Sequence, residues 1–338
     1  MRYSLALFIL VSLPALLCAK SKDLEVYFVD VEGGQATLIV SPSGQSALID
    51  SGWPNNSFRD ANRIAAAAKL AKIKKIDYFI LTHYHEDHVG GVPQLAQKLP
   101  VGTFIDHGPN REHGNKRQMR QAAEYDQAVA AAQHIVAKPG DKIPLKGVDV
   151  TVASADGEML PTAIPGAGSQ NSYCAATPDK EVDPSENARS LGTYWQFGKF
   201  TMLDLGDLTW NKEKELMCPI NRIGKIALFV VSHHGVDLSN SAALVDGVAP
   251  RVAIMDNGAH KGGSPSTYDT LKAVGGIEAI WQLHFSEDGG KDHNPADSFI
   301  ANIDEADTGF YLKLTAHEDG SFEVYNPRNK FSRAYAAK

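Results

Sequence analysis

The chain has 338 residues, 43% of them hydrophobic and 22% charged, with a formal net charge of −7 at pH 7. This composition excludes a disordered polymer and gives enough length for one large domain or two modest ones. The negative balance excludes a protein that grips polyanions through bulk electrostatics.

Residues 1–19 differ from the rest: Arg2 is a short positive region, residues 5–17 are almost unbroken apolar sequence, and Ala19 precedes Lys20 and Ser21. The pattern predicts a cleaved secretory signal and a secreted or periplasmic mature protein of residues 20–338. The apolar run is short for a membrane span, so no stable span is expected after cleavage. An uncleaved anchor and a lipidated Cys18 are the alternatives, and Leu17 is bulky for lipoprotein processing. Cleavage removes one charge, Arg2, and moves the net charge from −7 to −8. Cys174 and Cys218 then remain, an even number in an oxidising compartment. Their pairing is left open, and neither is assigned to a metal.

In chain order, 24–29, 36–40 and 46–50 read as three strands separated by turn residues, the third leaving through Asp50-Ser51-Gly52. An alanine-rich helix is predicted over 60–72, and a buried strand over 76–81. That strand delivers Leu81-Thr82-His83-Tyr84-His85-Glu86-Asp87-His88-Val89-Gly90-Gly91. Three imidazoles and a carboxylate on one turn are the material of a metal site, and such donors suit zinc or a similar first-row ion. A helix over 92–98, a strand over 102–106, a long helix over 116–136 and a strand over 149–154 follow.

Residues 155–186 are rich in Pro, Gly, Ser and Asp, and a loop of that length either covers a site or is mobile. Beyond it, strands are predicted at 191–197, 200–205, 227–231, 252–255 and 279–283, with helices near 241–245 and 266–274. The segments 309–314 and 321–325 form a hairpin around Glu318-Asp319-Gly320. Two comparable halves of mixed strands and helices predict an α+β protein whose sheets pack on one another under helices.

Later fragments repeat the form of a buried strand ending in a ligand. Met202-Leu203-Asp204-Leu205-Gly206-Asp207 ends in an aspartate, Leu228 to Gly235 ends in His233-His234, and Asn187-Ala188-Arg189-Ser190 opens another strand. With these residues, and with Val29-Asp30-Val31-Glu32-Gly33-Gly34-Gln35-Ala36 at the first turn, the sequence resembles the metallo-β-lactamase superfamily. Within it, the resemblance is nearest to the hydrolase domain of the ComEC competence proteins and their free-standing secreted relatives, over roughly residues 24–290.

The resemblance implies a four-layer αββα sandwich carrying a C-terminal β-hairpin extension, and one or two divalent ions, with zinc expected. It implies that His83 and His85 hold the first metal, Asp87 and His88 the second, and that Asp207 bridges them. His233 is expected to complete the second metal and His234 to donate a proton, in an order that the sequence leaves reversible. Asp50 is expected behind the first-metal histidines, fixing an imidazole tautomer. Asn187 stands where many superfamily members have a third histidine, and Ser190 follows it. A Gly-His-Pro of ComEC domains reads Gly263-Ser264-Pro265 here, with His260 and His284 nearby.

A metal-bound hydroxide would make this a hydrolase, with Asp87 among the catalytic residues. The ComEC-like signature favours a small or polymeric phosphodiester substrate. DNA fits the chemistry, but net charge gives nucleic acid no support, and Arg111, Lys116, Arg117 and Arg120 read as a solvated helix face. A lactonase or β-lactamase-type ester or amide hydrolase is the alternative, and a catalytically inactive metal-binding scaffold for a polymer is a third reading.

Overall fold

The structure, a computed structural model, describes residues 23–54, 56–112, 116–304 and 308–338. The expected signal, residues 1–19, lies outside the described residues. Among them, no helix is long and apolar enough to cross a membrane.

Burial alternates along the first strand. In β1 (Leu24–Phe28), Leu24, Val26 and Phe28 enter one apolar layer and Tyr27 the opposite one. Period-two burial on both faces belongs to a sheet covered on both sides. β2 (Thr37–Val40) and β3 (Ser46–Ile49) pair antiparallel in succession. β4 (Ile76–Ile80), β5 (Val101–Asp106) and β6 (Gln133–Val136) then add in parallel. On the other side of β1 lie β16 (Leu312–Ala316), β17 (Phe322–Asn326) and β18 (Phe331–Tyr335), giving the order β18-β17-β16-β1-β2-β3-β4-β5-β6.

The second sheet is built from β7 (Lys142–Ile143), β8 (Asp149–Ala155), β10 (Gly192–Phe197), β11 (Phe200–Asp204), β12 (Leu228–Val230), β13 (Val252–Met255), β14 (Ala279–His284) and β15 (Ile300–Asn302). Its order is β15-β14-β13-β12-β11-β10-β8-β7, with β9 (Glu158–Met159) pairing to β8. The strands from β11 to β15 run parallel, so their carboxyl ends share one edge. Ligands collect at that edge in open α/β sheets.

The two sheets meet through Val26, Phe28 and Ile49 on one side and Trp195, Phe200 and Met202 on the other. The outer face of the first sheet is covered by α1 (Arg59–Leu70), α3 (Val92–Leu95) and α4 (Lys116–Val129), through Ile64, Leu95 and Tyr125. α5 (Trp210–Met217), α6 (Ala242–Val248) and α7 (Pro265–Ala273) cover the second sheet through Leu216, Leu244 and Leu271. The result is the αββα sandwich that the resemblance implies.

Several boundaries differ from the sequence reading. The helix predicted over 116–136 ends at Val129, and Gln133–Val136 is an edge strand on β5. The lack of glycine or proline does not sustain a helix where Ile135 and Val136, both β-formers, complete a sheet edge. α5, β15 and β18 were not predicted. The long loop is fastened along α5 and α6: Cys174 and Cys218 are disulfide-bonded, and Asn171 Nδ2 donates to the carbonyls of Met217 and Ala243. Lys180 Nζ lies 3.8 Å over the Trp210 ring.

Candidate metal centre

The turn after β4 carries His83 and His85, and Asp87 and His88 open the short helix α2 (Glu86–Val89). The Gly33-Gly34 turn after β1 presses on this helix: Gln35 N donates to Asp87 O at 3.1 Å. A Cβ on Gly34 would lie 2.4 Å from that same carbonyl, so only glycine fits. From the second sheet, Asp207 follows β11 and donates its backbone N–H to Ser190 Oγ at 3.2 Å. His233 and His234 follow β12 with φ of 55° and 52°. Left-handed backbone at two non-glycine residues costs on the order of 1–3 kcal/mol each, and it brings the His234 ring against His88 while the His233 ring points elsewhere.

Four side chains converge. Asp87, His88, Asp207 and His234 are all buried, each with a donor atom within 4.8 Å of the others. His88 Nε2 is 3.3 Å from Asp87 Oδ2, 3.3 Å from Asp207 Oδ2 and 3.2 Å from His234 Nε2. His234 Nε2 is 3.2 Å from Asp87 and 3.4 Å from Asp207 Oδ1. His83 borders the group, with Nε2 3.8 Å from Asp207 Oδ2. His85 is outside the four-donor group but packs edge-on against His83, ring centroids 4.7 Å apart, with its Nε2 3.3 Å from Glu112 Oε2. His233 Nε2 lies 3.5 Å from Asp207 and 3.3 Å from Asn187 Nδ2, while its Nδ1 is 3.3 Å from Ser239 Oγ.

The ring orientations suit a cation. Thr82 Oγ1 gives its single proton to Asp50 Oδ2 at 2.7 Å, so it accepts from His83 Nδ1 at 3.0 Å. The lone pair of His83 Nε2 is thereby left toward the cluster, and that buried atom has no hydrogen-bond partner. Asp207 Oδ1 is likewise buried without one. Burial, followed by the neighbouring imidazoles of His88 and His85, holds the His83 pKa well below the ordinary imidazole value, favouring a neutral ligand. Burial opposes charge on His88, but Asp207, Asp87 and Asp50 outweigh it and raise its pKa well above the ordinary value. Burial and Lys261 oppose charge on His234, yet Asp207 and Asp256 push it up to about 10. Two nearby carboxylates that draw protons onto facing imidazoles form a site that demands positive charge, and the donor set fits a divalent ion.

The structure corrects two placements. Asp50 stands behind His88, Nδ1 to Oδ2 2.7 Å, rather than behind His83 and His85, because Thr82 intervenes. His234, rather than His233, enters the four-donor group, since the turn after β12 aims them apart with ring planes 70° from each other. His284 is drawn away from the cleft to Asp30, 2.7 Å distant, and His260 is exposed. Asp30, Glu32 and His284 also lie within metal-binding range of one another, but Arg63 bonds Asp30 at 3.0 Å and already supplies the cation. Arg111, Arg117 and Arg120 pair with Asp156, Glu86 and Glu124.

Sequence reasoning missed Thr82, Glu112, Asp256 and Lys261. Asp256 Oδ1 lies 3.3 Å from His234 Nδ1, and its one sequence signal is its place at the end of the strand β13. Glu186 was also missed: beside Asn187, it accepts from Arg111 N and pairs with His107 Nε2 at 3.0 Å, fixing the 107–112 loop.

Residues 29–172 match the model of the metallo-β-lactamase superfamily. The chain is 24% identical over 252 residues to ComE operon protein 3 of Bacillus subtilis, an alignment covering 70% of this chain and 29% of that protein. It is 32% identical over 99 residues to a hydroxyacylglutathione hydrolase of Klebsiella pneumoniae, covering 28% of this chain and 32% of the relative. The chain thus spans less than a third of the length of these two relatives. Among solved structures it is similar to the metallo-beta-lactamase fold protein YhfI of Bacillus subtilis, at 12% identity and a TM-score of 0.45, over 85% of this chain and 98% of that one.

Proposed function

We propose that this chain, which belongs to the metallo-β-lactamase superfamily, is an exported metal-dependent hydrolase of phosphodiesters. The observation that carries the reading is the buried convergence of Asp87, His88, Asp207 and His234, with the unpartnered Nε2 of His83 beside it. Asp87, His88, Asp207 and His234 would hold one divalent ion, expected to be zinc, and His83, His85 and Asp207 a second. Such ions acidify a water molecule and polarise the oxygen of the group under attack.

The chain's own residues do the rest. Asp50 fixes the His88 ring and Thr82 fixes that of His83. Ser190 orients Asp207 through its backbone N–H. His233, at the edge of the group beside Asn187, is assigned the movement of a proton to or from the reacting oxygens. This exchanges the roles that the sequence reading gave His233 and His234.

Phosphodiester cleavage is favoured by the ComEC-like motifs from Asp30 to His234, and polymeric DNA is one candidate substrate. The likeness to a hydroxyacylglutathione hydrolase, confined to 99 residues, supports an ester-hydrolase reading less broadly. Export is supported by the apolar residues 5–17 and by the disulfide between Cys174 and Cys218. Metal analysis of purified protein, with hydrolysis of bis(p-nitrophenyl) phosphate measured before and after chelation, tests the activity, and cell fractionation tests export. Protein without bound metal would end the reading, and metal-loaded protein inert toward diesters and lactones would favour a binding scaffold.

A further inference from the structure

Lys261 is a cation placed by design of the chain on a carboxylate of the candidate metal centre. Its Nζ contacts Asp87 Oδ2 and lies 4.9 Å over the Trp53 ring. The loop that carries it, between β13 and α7, is fixed at several points. Gly258 N donates to Lys261 O at 2.9 Å, and Gly263 N donates to His234 O at 2.9 Å. Gly262 has φ +77°, and a Cβ there would lie 2.0 Å from His234 O. The loop is therefore seated on the backbone of a residue of the centre, which fixes the point from which the Lys261 side chain reaches Asp87.

The same side chain is one-third exposed, and it lines a cavity of about 280 Å³ that opens beside the centre. Trp53, His85, Asp87 and Arg117 are also in its wall. An ion held by Asp87 would repel the ammonium, and the adjoining cavity gives Lys261 room to turn away from it. There its N–H donors would meet an oxygen that a substrate presents beside the centre. Charge-assisted bonds to phosphoryl oxygens are among the strongest polar contacts available to a lysine.

We propose that Lys261 binds a non-bridging oxygen of an anionic phosphoryl substrate, and that it makes the cavity select phosphodiesters over uncharged esters and lactones. This rests on the reading of the centre as a metal-dependent hydrolase and names the residue that chooses its substrate class. Lys261 acts as a specificity-determining residue, and the proton and water chemistry remain with the groups described above.

The test compares wild type, Lys261→Met and Lys261→Arg as full chains loaded with zinc, with metal content measured for each. Calorimetric titration with inorganic phosphate is the readout independent of turnover. Wild type is expected to bind phosphate, Lys261→Met about 10- to 100-fold more weakly, and Lys261→Arg within about threefold of wild type, as befits one charged hydrogen bond. At matched zinc content, Lys261→Met should raise KM for bis(p-nitrophenyl) phosphate about 10-fold or more relative to KM for uncharged p-nitrophenyl acetate, the ratio of the two being the measure of selectivity. The metal-free variant should also bind zinc more tightly than metal-free wild type, because a competing cation is gone. Diester hydrolysis with equal phosphate affinity in all three proteins would overturn this inference alone. A wild type that cleaves the acetate and never the diester would overturn it together with the phosphodiester reading.

Discussion

His88 Nδ1 stands 2.7 Å from Oδ2 of Asp50, and both side chains are fully buried. Asp50 also accepts from Thr82 N at 2.8 Å and from Thr82 Oγ1 at 2.7 Å. One carboxylate therefore orients His88 directly and His83 through Thr82, so a residue outside the donor group governs rings on both sides of it. Replacing it by asparagine keeps the shape and removes the charge. Asp50→Asn should lower zinc affinity by about 10- to 100-fold, measured by competition with a chromogenic chelator. Unchanged affinity would remove Asp50 from any role at the centre.

Asp207 touches His83, His88, His233 and His234. Asn187 touches His233 alone among these histidines. Asp207→Ala is expected to lower kcat/KM on bis(p-nitrophenyl) phosphate by about 1,000-fold or more, several kcal/mol of transition-state stabilisation. Asn187→Ala should lose about tenfold or less, because it trims one hydrogen bond to an imidazole. Equal losses, at matched metal content, would contradict the assignment of Asp207 as the shared ligand.

A second buried pair answers to pH. His284 Nε2 lies 2.7 Å from Asp30 Oδ1, with Glu32 at 3.5 Å from the same nitrogen, and Arg63 on Asp30. Burial opposes charge on His284, but Asp30 and Glu32 outweigh burial and Arg63, and raise its pKa. Burial works against the Asp30 carboxylate, yet His284 and Arg63 lower its pKa. The histidine's contribution to stability is complete below its unfolded value of about 6.5 and is lost as pH rises through its higher folded value. That of Asp30 is complete above about 3.9 and is lost as pH falls through its lower folded value. His284→Gln should thus be destabilised by about 3 kcal/mol near pH 5.5, and by less near pH 9. Urea unfolding at both values checks this, and a gap independent of pH would refute the charged pair.

The bond between Cys174 and Cys218 joins residues 44 apart, and it ties the long loop to the end of α5. On the chain-entropy account, a loop of that size contributes at most about 4 kcal/mol. The Cys174→Ala, Cys218→Ala double variant should therefore unfold at lower urea concentration, with zinc content unchanged because the bond lies on the flank of the second sheet. Loss of zinc in a folded double variant would show that the loop supports the centre.

Much of this was legible in the sequence for definable reasons. The run from His83 to His88 announces itself because its donors are adjacent, and the alternation along β1 and the apolar runs of β3 and β11 mark strands of two covered sheets. What stayed hidden depends on direction rather than composition. His233 and His234 are neighbours of one type, and only the left-handed backbone at both decides which faces Asp87 and His88. The same holds for Asp50, whose partner is set by Thr82 taking the space in front of His83. Lys261 has no neighbouring motif, and its part depends on a loop folded against His234 from across the second sheet. The strand over 133–136 was lost to the helix pattern before it, since edge pairing is a long-range event that local periodicity does not report.

The placement of β1 also governs the order in which the molecule can be assembled. Leu24 pairs with Ala316, so β1 needs a neighbour synthesised nearly three hundred positions later. Until that neighbour arrives, β1 carries an open hydrogen-bonding edge in the middle of its sheet. Pairings of such long range slow folding, since the chain must close a large loop before any contact rewards it. The nascent N-terminal half therefore stays unfinished through synthesis, a state suited to holding by chaperones. Deletion of β16 to β18 would leave an aggregation-prone edge in place of a trimmed protein.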